Sequence, residues 1–181
     1  MQMPSKIALI TNDAIGEKMA GPGIRYWEFA RVLSEIFPVK LIVPPYVRMD
    51  APPTGQPGRA EVYVCKDTNV LSALIADCDV VITLGIVLAF YPFLTQLDKI
   101  LVVDIYDPFL LAGLQREAGA DPLRQMNAYE KYREALEVQL RIGDFFLCAS
   151  ERQRDYWLGM LSAVGRINPR TYAHCLLYTS P

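Results

Sequence analysis

Apolar residues in this chain fall into short unbroken runs that alternate with segments of helical period. The first run spans 6–11 and is closed by the turn formers Asn12 and Asp13, so it predicts a strand buried on both faces. A polar, glycine-containing loop continues to Gly23. Over 24–37 the apolar Ile24, Trp27, Ala30 and Leu33 recur at helical spacing. Glu28, Arg31 and Glu35 occupy another face, so the spacing predicts an amphipathic helix. Pro38 ends it, and 39–43 predicts the second strand, stopped by Pro44-Pro45. The same reading predicts strands at 61–65, 79–84, 99–104 and 144–150, and helices at 69–76, 87–97, 123–142 and 151–164. The 123–142 helix carries charges of both signs and an apolar stripe of Met126, Tyr129, Leu136 and Leu140.

That order of elements, with strands that are continuously apolar, predicts an α/β fold: a Rossmann-like, mostly parallel sheet with helices on both faces. Residues 1–173 read as one domain. Five of the 13 prolines stand within 44–59, which predicts a surface loop, since too little chain precedes it for a separate domain. The uncharged stretch 80–97 approaches the length of a membrane span. Gly85 and Pro92 interrupt it, so it reads as a strand followed by a short helix.

Composition narrows the function classes. The chain has 181 residues, 52% hydrophobic and 21% charged, enough apolar material for a packed core. A formal charge of −2 and a pI near 5.4 argue against a nucleic-acid binder. One histidine, His174, excludes multi-histidine metal sites, and no metal site is expected. Four cysteines at 65, 78, 148 and 175 show no C-x-x-C spacing, and three sit in apolar surroundings. The apolar run after Lys6 is too brief for a signal-peptide core, so a reduced, cytoplasmic setting is expected.

In parallel sheets, ligands bind beyond the carboxyl ends of the strands, where the strand order reverses. This selects 12–23, Gly85-Ile86, 104–108 and 150–152 for chemistry. Gly21 and Gly23 would let backbone approach a ligand closely at a helix amino terminus, which favours an anion. Arg25 adds a planar donor fork suited to phosphate or carboxylate. The same glycines also suit a loop that merely turns into a helix. A dinucleotide-binding G-x-G-x-x-G is not met, because Ile24-Arg25-Tyr26 follows Gly21-Pro22-Gly23. Asp104 ends an apolar strand at the rim of the expected cleft, and Asp107 before Pro108 is also an ordinary turn signal.

Three stretches carry a family resemblance. They are Gly-Pro-Gly-Ile-Arg-Tyr-Trp-Glu-Phe-Ala-Arg-Val-Leu at 21–33, Asp-Ile-Tyr-Asp-Pro-Phe at 104–109, and Ala-Ser-Glu-Arg-Gln-Arg-Asp-Tyr-Trp-Leu-Gly at 149–159. In that order they resemble the amino-terminal domain of retaining GT-B glycosyltransferases (glycosyltransferase family 4, group 1). The resemblance implies one half of a two-domain enzyme that moves a sugar from a nucleotide-activated donor to an acceptor, without a cofactor and usually without a metal. It implies that Gly21, Gly23 and Arg25 lie near the donor phosphates. Asp13, Asp104 and Asp107 would lie near the acceptor or transferred sugar, with Ser150 and Arg152 at the rim after the last strand. Asp104 is the candidate catalytic residue. Many members carry a histidine on the loop corresponding to 104–108, and this chain has none there.

The resemblance further implies a partner domain holding the nucleotide site, which this sequence does not contain. Residues 174–181 depart from the pattern and resemble translated adaptor sequence, so the expectation is a non-native tail, and His174 is assigned no role. Alone, the chain is expected to be inactive. Association with a membrane surface is expected to be peripheral at most, since no polybasic amphipathic helix is visible. A second reading of the same loop is a stand-alone, flavodoxin-like module that binds a phosphorylated or nucleotide ligand.

Overall fold

The computed structural model of the chain describes residues 5–48, 55–172 and the backbone of 177–179. Its centre is a seven-stranded sheet in the order β3-β2-β1-β4-β5-β6-β7, with every neighbouring pair parallel. The strands are β1 (Ile7–Ile10), β2 (Val39–Val43), β3 (Glu61–Val64), β4 (Val80–Leu84), β5 (Ile100–Asp104), β6 (Phe145–Cys148) and β7 (Leu177–Thr179). The first six match the six predicted runs. Their legibility has a physical cause: parallel strands covered on both faces are apolar at nearly every position, as Ile7–Ile10 is throughout and Val80–Leu84 is apart from Thr83. The seventh strand lies in the segment expected to be a tail, and Leu177 pairs with Phe146. His174 and Cys175 fall outside the described residues, as does part of the 44–59 loop.

Helix α1 (Gly21–Leu33) links β1 to β2, and α2 (Thr68–Ile75) links β3 to β4. Right-handed crossovers that run in opposite directions along the sheet put these connections on opposite faces. Beyond β4 come α3 (Gly85–Phe90), a 3₁₀ turn at Pro92–Gln96, α4 (Phe109–Arg116), α5 (Pro122–Ile142) and α6 (Glu151–Ala163). Pro92 splits the single helix predicted at 87–97, because proline removes a backbone donor and clashes with the preceding turn.

Two helical faces differ from the sequence reading. Helix α1 begins at Gly21, three residues early, and buries Gly23, Tyr26 and Ala30 while Ile24 is 51% exposed. The sheet accepts the small residues and one tyrosine at i, i+3 and i+7, so the helix sits closer than an Ile24–Trp27 face would permit. In α5, Leu136 and Leu140 are buried as expected, but Met126 is 57% exposed. The first half of α5 packs instead on α4, which the sequence reading had not resolved. There Gly113 meets the Tyr132 ring so closely that an added Cβ would lie 2.4 Å from it. Cys65, Cys78 and Cys148 are buried thiols. No helix among the described residues is long and apolar enough to cross a membrane.

Candidate functional site

The strand order reverses between β1 and β4, so the crevice for a ligand opens beyond Ile10 and Leu84. Directly after β1, the Thr11 hydroxyl accepts from the Asp13 N–H at 3.1 Å and Asp13 Oδ1 accepts from the Ala14 N–H at 2.8 Å. These bonds shape a tight turn and use one carboxylate oxygen of Asp13. Its other oxygen, Oδ2, is buried without a partner, as is Oδ1 of Asn12.

Asp104 at the end of β5 is the best-anchored polar group of this edge. Its Oδ2 accepts from Arg25 Nε at 2.7 Å, and its Oδ1 accepts from Arg25 Nη2 at 3.1 Å and from the Tyr106 N–H at 3.3 Å. The Asp104 side chain is 0% exposed and that of Arg25 is 16% exposed. The guanidinium also lies 4.6 Å from the centroid of Phe29 and 5.0 Å from that of Tyr106. Burial pushes the Asp104 carboxyl up from its ordinary range, and Arg25 pulls it back towards the ionised form. The pair is thus a fork-on-carboxylate clasp in a water-poor place, joining two residues 79 apart in sequence.

This changes the geometry expected at the glycine loop. Arg25, expected near a phosphate, is turned onto Asp104. Gly23, expected to leave room for a ligand, leaves room for the loop itself: a Cβ there would lie 2.6 Å from the Ala14 carbonyl oxygen and 3.2 Å from Met19 Cβ. Gly21 sits at the first position of α1, where an added Cβ would make only ordinary contact, 3.5 Å from the Tyr106 hydroxyl. Ala20 at the N-cap makes no side-chain capping bond and the first turn carries no acidic residue, so the amino terminus of α1 keeps its positive character. The corner at Gly85 is filled from within: a Cβ there would lie 1.1 Å from Gln139 Oε1.

The remaining predicted residues lie along the same edge. Asp107 is half-buried ahead of α4, its carbonyl accepts from the Phe109 N–H at 2.8 Å, and burial raises its carboxyl against the pull of Arg116. Ser150 caps α6, its hydroxyl accepting from the Gln153 N–H at 3.3 Å. Arg152 is exposed on the first turn of that helix. Two shallow depressions of about 500 and 570 Å³ lie elsewhere, one between α4 and α5 and one at the amino ends of β4, β5 and β6. Among the described residues no group of three or more His, Cys, Asp or Glu side chains could hold a metal ion.

No family model matches the chain, and no curated protein does. Among solved structures, it resembles UGT2 of Phytolacca americana, solved with UDP-2-fluoro-glucose and pterostilbene, at a TM-score of 0.57 and 12% identity. The match covers 97% of this chain and 53% of that one, so the chain spans about half the length of its neighbour. The C-terminal domain of the coenzyme A biosynthesis bifunctional protein CoaBC aligns at a TM-score of 0.36 and 10% identity, over 65% of this chain and 71% of that domain. The chain has the α/β fold found in the glycosyltransferase neighbour.

Three residues of the edge escaped the sequence reading. Gln153 ties β5 to β6, donating from Nε2 to the Tyr106 carbonyl at 2.8 Å and accepting at Oε1 from the Ala149 N–H at 2.9 Å. Tyr26 is wholly buried with its hydroxyl unpartnered, and the charges of Asp104 and Arg25 and the hydroxyls of Tyr46 and Tyr106 all act on it. Tyr46 likewise has a buried, unpartnered hydroxyl. Tyr26 had a usable signal, its i, i+4 relation to Ala30 on α1. The others depend on chain ends that only the fold brings together.

Proposed function

We propose that this chain is the acceptor-side half of a glycosyltransferase, taking a sugar from a nucleotide-activated donor held mainly by a second domain. One observation carries the reading. The three stretches behind the family resemblance, at 21–33, 104–109 and 149–159, meet at one edge of the sheet. Arg25 of the first clasps Asp104 of the second, and Gln153 of the third bonds the Tyr106 carbonyl of the second. Stretches matched for unrelated reasons have no cause to be stitched together at the end of a parallel sheet where ligands bind. The fold shared with a glycosyltransferase over half its length supports the same reading.

Within this reading the roles redistribute. The amino terminus of α1 at Gly21 faces the donor diphosphate. Arg25 orients Asp104, which acts through the shape and charge of the site. Asp13 and Asp107, with acceptor capacity less committed to the protein, face the acceptor or the transferred sugar. Ser150 and Arg152 form the rim.

Isothermal calorimetry of the 181-residue chain with nucleoside diphosphates and sugar phosphates tests the division of labour. Half a site should bind them weakly or not at all, with no saturation below millimolar concentration. Micromolar binding by this chain alone would favour the stand-alone module instead.

A further inference from the structure

Helix α5 has 21 residues and β5 has 5. The helix is about 31 Å long and the strand about half that, so the two cannot lie side by side over their full lengths. The first half of α5 packs on α4 instead, and a groove runs between the two helices. Ala128 and the Tyr132 ring form its floor, Leu114 and Leu123 its lips, and it opens to about 500 Å³ at the Leu123 end. Leu123 is 71% exposed, and Leu114 and Leu111, one turn apart on α4, are exposed as well. The charges of the rim lean positive. Arg124 and Lys131 are exposed there, and Arg116 reaches in to donate to the Tyr132 hydroxyl at 3.2 Å. The acids are already engaged. Glu117 is largely buried and accepts from Arg124 Nε at 2.8 Å, and Asp121 caps α5 by accepting from the Arg124 N–H at 3.1 Å.

Helix α1 carries the complementary shape. Ile24, Glu28, Val32 and Ile36 follow one another at i, i+4 spacing and all are exposed, with Ile36, in the turn that continues the helix, at 73%. Side chains in such a row form a ridge of the kind that packs into a groove between helices. The ridge is apolar with an acidic margin: Glu28 accepts from Arg31 at 2.8 Å, and Glu35 stands exposed beside it. The connections β1 to β2 and β5 to β6 run in opposite directions across the sheet, which puts α1 and α5 on opposite faces. One copy cannot lay its own ridge in its own groove.

We infer that the α4–α5 groove is a docking surface for the α1 ridge of a second copy of this chain. The contact is head to tail, apolar at its centre and paired in charge at its margin, Lys131 and Arg124 of one copy facing Glu35 and Glu28 of the other. One ridge in one groove buries less than a standard interface, so the association is weak and readily reversed. A membrane surface is the poorer occupant, because the groove is concave and holds Glu117 and Asp121. The contact uses none of the crevice residues and is independent of the glycosyltransferase reading.

Sedimentation of the 181-residue chain over a wide concentration range reads the association. Val32→Lys on the ridge, Lys131→Glu in the groove and an equal mixture of the two are compared with wild type, after circular dichroism has verified each fold. Wild type should self-associate. Each variant alone should weaken association about tenfold, since each sets like charges face to face across the contact. The mixture should recover association and stop at a dimer, because the two variants together hold one intact ridge and one intact groove. A wild type that is monomeric throughout, either variant associating as wild type does, or a mixture that fails to recover overturns the docking. So does a monomeric chain that sediments with phosphatidylglycerol vesicles, which would give the groove to a membrane surface.

Discussion

Replacing Arg25 by alanine should lower the melting temperature more than any other single change at this edge. The substitution leaves the Asp104 carboxylate, 0% exposed, without the fork that holds it. Removing one partner of a buried ion pair costs about 3–5 kcal/mol, which for a chain of this size is a drop on the order of ten degrees. Asp104→Ala should cost less, because the Arg25 guanidinium is partly exposed and can turn to water. The double variant Arg25→Met with Asp104→Leu should recover much of the loss, since no buried charge is then left over. The direction with pH follows from the burial that already raises the Asp104 carboxyl. Without Arg25 that rise is larger, so the folded state binds a proton more readily than the unfolded chain. The penalty is then full at neutral pH and shrinks as pH falls towards the ordinary carboxylate range. Thermal melts of the four proteins at two pH values decide the matter. Equal melts for wild type and Arg25→Ala would show that the clasp contributes nothing.

The second large effect is expected at Gly23. Alanine there would bring Cβ to 2.6 Å from the Ala14 carbonyl oxygen, a distance real Cβ atoms do not adopt, and the obstacle is backbone that cannot rotate away. The 11–20 loop must shift, at a cost of about 1–3 kcal/mol by the usual scale for overpacking. Gly21→Ala is the internal control, because its Cβ meets only the Tyr106 hydroxyl at 3.5 Å. Gly23→Ala should melt several degrees lower and become more sensitive to proteolysis within the loop, while Gly21→Ala keeps both properties. An unchanged melt for Gly23→Ala would return that glycine to a role in leaving space for a ligand.

These two residues also mark where the sequence was legible. Gly23, Arg25 and Asp104 could each be singled out from position alone, as a glycine before a helix, a cation in its first turn and a carboxylate ending an apolar strand. What each touches could not be read, because the Arg25–Asp104 contact spans 79 residues and the Gly23–Ala14 contact depends on how the loop folds back. The central strands were readable because burial on both faces leaves most of their positions apolar, as in Ile7–Ile10, whereas the edge strand Glu61–Val64 is partly exposed. The facing of α1 was not readable, because the largest apolar residues, Ile24 and Trp27, suggest an inner face that the sheet gives to Gly23, Tyr26 and Ala30. Helix α4 escaped for a similar reason: its close fit on α5 depends on Gly113 against Tyr132, a tertiary contact that leaves no period in the sequence.

The central claim, that this chain is half of a sugar-transferring enzyme, is tested most directly by nucleotide-sugar turnover. The purified 181-residue chain would be assayed beside a longer protein in which this chain is joined to a second α/β domain, with release of nucleoside diphosphate as the readout. The account predicts release by the longer protein and none by the 181-residue chain, because stabilising the leaving diphosphate needs donors from both walls of the cleft. Turnover by the 181-residue chain alone would contradict it.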